Sequence, residues 1–145
     1  MAVRFSCYDT SEMACPYFYP VTPGKNGSAM LPLGDRWEGV CRAAPGAPRK
    51  ADESLVQLCN MGYARGQCPH FPAGDGPDSV RFTVRGSSSG SVSLYYSIER
   101  DHHPFAHGPL TYLPASGELA DRPASEILDR QARAYAESYI WRAGE

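Results

Sequence analysis

No apolar run in the chain approaches the roughly 18–20 residues that a membrane-spanning helix requires, so it is expected not to cross a membrane. Strong charge of either sign is also missing. The formal net charge of −2 offers no basic footprint, and nucleic acid is not an expected partner. The opening Met1-Ala2-Val3-Arg4-Phe5-Ser6-Cys7 lacks the apolar core of a secretory signal, which makes the cytoplasm the expected compartment. There is no phosphate loop, HExxH, Gly-x-Ser-x-Gly elbow or dinucleotide fingerprint. The closely spaced cysteine pair that brings two sulfurs to one zinc ion is absent as well. Finally, no cysteine occurs after Cys68.

What the first 68 residues do hold is five cysteines: Cys7, Cys15, Cys41, Cys59 and Cys68. In a reducing compartment structural disulfides are disfavoured, and an odd count leaves one thiol over. Two segments echo each other. Cys7 and Cys15 lead into Cys15-Pro16-Tyr17-Phe18, and Cys59 and Cys68 lead into Cys68-Pro69-His70-Phe71. Proline biases the residue before it towards extended backbone, so both thiols are presented in the same way.

Cys15, Cys41, Cys59 and Cys68 are the candidate ligand set. They are separated by 25, 17 and 8 residues. Single thiols on distant loops suit an object larger than one ion, and a cubane iron–sulfur cluster is held by four thiolates. The expectation is a [4Fe-4S] protein that transfers electrons or senses redox state with a protein redox partner. The alternative is a zinc-stabilised interaction module, in which the metal supplies folding energy and no chemistry. Unrelated core thiols and disulfides are the remaining readings. Tyr17, Phe18, Trp37, Tyr63 and Phe71 would exclude water, amides at Gly62 and Gly66 would reach the sulfurs, and Arg65 would offset charge. Cys7 is the spare thiol, or a substitute for Cys15.

A second candidate is Asp101-His102-His103-Pro104-Phe105-Ala106-His107. Imidazoles ligate zinc or non-haem iron, so His102, His103 and His107 would make a small metalloenzyme. The plainer reading is an exposed connection between two strands. Gly86-Ser-Ser-Ser-Gly90 reads as a hairpin tip, because it lacks the lysine and helix of a phosphate loop.

The segment Cys59-Asn60-x-Gly62-Tyr63-Ala64…Cys68 resembles that of small uncharacterised bacterial cysteine-rich proteins. The resemblance covers about the first half of the chain and implies no established function.

The expected fold is a single α+β domain over 1–145. A loop-rich, cysteine-bearing half (1–75) packs with a three-stranded antiparallel β-meander and a C-terminal helix (76–145). A short edge strand is expected at Val3–Phe5, and a helix capped by Asp52 carries Cys59 to a stop at Gly62. Alternation at Val80, Phe82 and Val84, then at Val92, Leu94, Tyr96 and Ile98, marks two strands, with a third at Leu110–Leu113. The tail helix is expected to start near Asp121 and Pro123. Its apolar stripe is Ala124, Ile127, Leu128, Ala132, Tyr135 and Tyr139, with Glu126/Arg130 and Asp129/Arg133 paired on the wet side.

Overall fold

The structure is a computed structural model that describes residues 14–23, 33, 37–43, 49–50, 59–60, 68–69, 71–72, 76–100 and 103–143. The expected Val3–Phe5 strand, the Asp52 cap, Gly62, Tyr63, Arg65, Gly66, Cys7 and His102 lie outside these residues.

The architecture is α+β with two antiparallel sheets. The first contains β1 (Phe18–Pro23), β2 (Trp37–Cys41) and β3 (Arg49–Lys50), in that order. The second contains β4 (Ser79–Ser88), β5 (Ser91–Arg100), β6 (His103–Leu113) and β7 (Glu118–Leu119), followed by helix α1 (Glu126–Ala143). Two corrections to the expected fold follow. The cysteine-bearing half, expected to be loop-rich, has a sheet of its own. The meander has four strands rather than three.

Both corrections have local causes. Pro16, Pro20 and Pro23 forbid a helix, yet proline is tolerated on an edge strand, and among the described residues β1 is paired only on its β2 side. Phe18 sits opposite Cys41, and the register shifts between Pro20 and Thr22. Gly39 is needed there, since a Cβ on it would lie 2.0 Å from the Tyr19 carbonyl oxygen. The fourth strand arises because Gly117 adopts φ +73° and its N–H reaches the Leu113 carbonyl at 2.8 Å, returning Glu118–Leu119 onto β6. Two residues are too few for alternation to reveal.

The β4–β5 hairpin is tighter than composition suggests. Ser88 pairs with Ser91, so the loop is Ser89-Gly90 and not the whole Gly86–Gly90 run. A bulge between Val84 and Gly86 absorbs the extra residue, and Arg81 faces Ser97 while Tyr95 faces Thr83. Phe82, Leu94, Leu110 and Tyr112 form the buried face of this sheet.

Helix α1 begins later than expected. Ser125, rather than Asp121, caps it: its hydroxyl accepts the Leu128 N–H at 3.1 Å. The helix packs against strands of both sheets. Tyr135 stacks on Phe82 (centroids 5.5 Å apart, planes 26°), while Ala132, Ala134 and Ala136 are wholly buried and permit close approach. Among the described residues, no helix is long and apolar enough to cross a membrane.

Because the helix meets two sheets, its expected wet side is largely covered. Asp129 is buried and holds Arg133 at 3.2 Å and Arg122 at 3.3 Å. Glu126 pairs with Arg42 rather than Arg130. Arg130 instead donates to the Pro20 carbonyl (2.7 Å) and the Val21 carbonyl (3.0 Å), beneath the Trp37 ring. A strut of this kind ties the helix to β1.

Candidate metal centre

Each Cys-Pro segment folds into the same turn. The Phe18 N–H donates to the Cys15 carbonyl at 3.2 Å, and the Phe71 N–H donates to the Cys68 carbonyl at 3.1 Å. Proline at the second position of both segments pre-sets the dihedral such a turn needs. The two copies touch, since Tyr17 meets Phe71 edge-on at 5.5 Å. The sequence echo is therefore a structural one.

Hydrogen bonds tie the remaining two thiols to this pair. The Cys15 N–H donates to the Cys59 carbonyl at 3.0 Å. Cys59 and Asn60 are helical, and the Asn60 side chain clamps the strand that carries Cys41. Asn60 Oδ1 accepts the Trp37 N–H at 2.7 Å, and Nδ2 donates to the Trp37 carbonyl at 2.8 Å. The amide thus serves Trp37 as a neighbouring strand would, at a point that β3, paired only to Val40 and Cys41, does not reach. Cys41 ends β2 opposite Phe18, three residues from Cys15.

Burial pushes the Cys15 thiol far above its ordinary range, and the charges of Cys59, Cys41 and Cys68 raise it further. The Tyr17 backbone N–H acts in the opposite sense by hydrogen-bonding the Cys15 sulfur. All four residues are thiols, with no disulfide among the described residues. Cys15 is buried in the core, and Cys59 and Cys68 pack against it while still partly open. Among the described residues, no three Cys, His, Asp or Glu side chains gather closely enough to hold a single ion.

No known protein family, characterised protein or solved structure matches the chain.

The histidine stretch is arranged differently from expectation. His103 and His107 belong to β6 rather than to a loop, with His103 opposite Arg100 and His107 opposite Ser97. The extra residue, Phe105, sits where the register shifts. Arg100 and Ser97 are three apart on β5, so the two imidazoles leave on opposite faces of the sheet. His107 is instead bonded to the Tyr95 hydroxyl.

Two buried polar residues carry roles that the sequence reading missed. Asn60 enters the sequence pattern only through the resemblance. Gln131 belongs to no motif, yet its Nε2 donates to the carbonyls of Cys15 (2.9 Å) and Phe18 (2.7 Å). The available signal was a glutamine lying between Leu128 and Ala132 on a helix face expected to be apolar, where a polar side chain must find partners.

Proposed function

We propose that Cys15, Cys41, Cys59 and Cys68 bind an iron–sulfur cluster of the [4Fe-4S] type, and that the protein transfers electrons or senses redox state. The observation that carries this reading is geometric: the Cys15 N–H bonds the Cys59 carbonyl, Phe18 of the Cys15 turn lies opposite Cys41, and Tyr17 of that turn meets Phe71 of the Cys68 turn. One zinc ion would hold its sulfurs at about 2.3 Å, hence within about 4 Å of each other. The terminal thiolates of a cubane stand farther apart, which suits single cysteines carried on separate segments.

When bound, such a cluster supplies one-electron transfer at a potential set by burial, charge and hydrogen bonds to sulfur. The chain's own residues act on each of these. The Tyr17 N–H bonds the Cys15 sulfur, lowering the cost of its negative charge. Tyr17 and Phe71 meet edge-on between the paired turns, and Phe18 and Trp37 are buried, which limits the access of water. Four thiolates leave no open metal position for a substrate, which favours an electron carrier or sensor with a protein partner over an enzyme.

The test is anaerobic reconstitution with ferrous iron and sulfide, followed by iron and acid-labile sulfide analysis. About four of each per chain, with a brown chromophore, is expected. Cys59→Ser should abolish the chromophore while leaving the circular dichroism of the sheets intact. A colourless chain holding one equivalent of zinc would overturn the cluster in favour of an interaction module.

A further inference from the structure

From the two carbonyls it holds, we infer that Gln131 is a positioning residue for the thiol centre, fixing the Cys15–Phe18 turn from the C-terminal helix. The inference rests on the ligand assignment proposed above. Gln131 is 1% exposed, so water cannot stand in for its amide. Its Nε2 carries two protons, and two carbonyls lie within reach: Cys15 O at 2.9 Å and Phe18 O at 2.7 Å. These are the first and last residues of the turn, already bridged by the Phe18 N–H to the Cys15 carbonyl. One side chain therefore holds both ends of a four-residue turn whose interior delivers the Tyr17 N–H to the Cys15 sulfur.

The neighbouring residue strengthens the arrangement. Arg130 grips the Pro20 and Val21 carbonyls, so two consecutive helix residues hold four carbonyls along Cys15–Val21. Gln131 thus acts on one thiol of the four, and its loss has a thiol-specific signature.

Gln131→Met keeps length and volume but removes both donors. In the metal-free chain, timed iodoacetamide labelling with peptide mapping should show Cys15 alkylated at least tenfold faster than in wild type. Cys41, Cys59 and Cys68 should label at unchanged rates. A general loss of structure would expose all four alike, so only selective acceleration supports positioning, and an unchanged Cys15 rate in the folded variant overturns it. After reconstitution, the variant should lose its iron to a chelator at least tenfold faster than wild type. It should also give an altered EPR spectrum on reduction. Should the wild-type chain take up no iron and sulfide, the cluster reading fails, while the labelling arm still decides the role of Gln131. If Gln131→Met does not fold, wild-type NMR decides. The Gln131 amide protons are expected to exchange at least a hundredfold slower than those of free glutamine, and free-glutamine rates would overturn the inference.

Discussion

Removing the Asn60 side chain tests the link between Cys59 and the strand that bears Cys41. Asn60 is 1% exposed and Trp37 is fully buried. Asn60→Ala strands the Trp37 N–H and carbonyl in a place that solvent does not reach. Each unsatisfied backbone group costs about 1–3 kcal/mol, and some relaxation is expected, so the loss should be about 3–4 kcal/mol. That is a large fraction of the roughly 5–15 kcal/mol by which domains are stable. For a chain of this size it corresponds to a fall in Tm of about 10 °C. The measurement is urea unfolding of the chelator-treated protein, monitored by circular dichroism, so that metal makes no contribution. Asn60→Asp keeps the acceptor, loses the donor and buries a charge, and should be at least as damaging. A loss below about 1 kcal/mol for Asn60→Ala would refute the view that this amide replaces a missing strand.

Other substitutions and conditions probe separate parts of the same construction. Gly39→Ala drives a methyl into the Tyr19 carbonyl and should cost about 2–3 kcal/mol by parting β1 from β2, read as a lowered urea midpoint. Ser138 is wholly buried and its hydroxyl has no partner among the described residues, so Ser138→Ala should stabilise by about 1 kcal/mol, read as a raised Tm. Alkali should destabilise the metal-free chain. Because burial raises the folded Cys15 thiol above its unfolded value, its contribution is fully present below about pH 8.5 and declines as pH rises beyond it. Tyr112 and Tyr135, also raised mainly by burial, add a loss of the same sign above about pH 10. Stability should fall by about 1.4 kcal/mol per pH unit for each such group, and urea midpoints from pH 7 to 11 check the slope.

Regular alternation made the second sheet legible. Val80, Phe82 and Val84, and then Val92 to Ile98, occupy the strands their period implies. What the period did not reveal was register. Bulges at Arg85 and Phe105 each add one residue, and a single residue changes which side chains share a face. The separation of His103 from His107 depends on such a bulge. In the cysteine-bearing half, the paired Cys-Pro-x-Phe segments were visible as a repeat, and they fold as one. The strands between them were hidden because proline and glycine read as loop, although an edge strand tolerates the former and a close strand approach at Gly39 demands the latter. The helix was misjudged for a different reason. A single apolar stripe predicts one partner, whereas α1 meets two sheets and satisfies its second contact with Asp129, Arg130 and Gln131. Charge patterning along the helix counts Arg130 as solvated, whereas it reaches carbonyls about 110 positions away in addition to Glu137 on its own helix.

Trp37 and Trp141 are the chain's two tryptophans, and they lie face to face with centroids 6.2 Å apart and planes 21° from parallel. All indole emission therefore originates from one spot, on the strand that runs to Cys41. A coloured inorganic group nearby would drain that light by energy transfer, and its departure would restore the signal. Were the proposed cluster to bind, this indole pair would serve as an optical gauge of its arrival and loss without any attached dye.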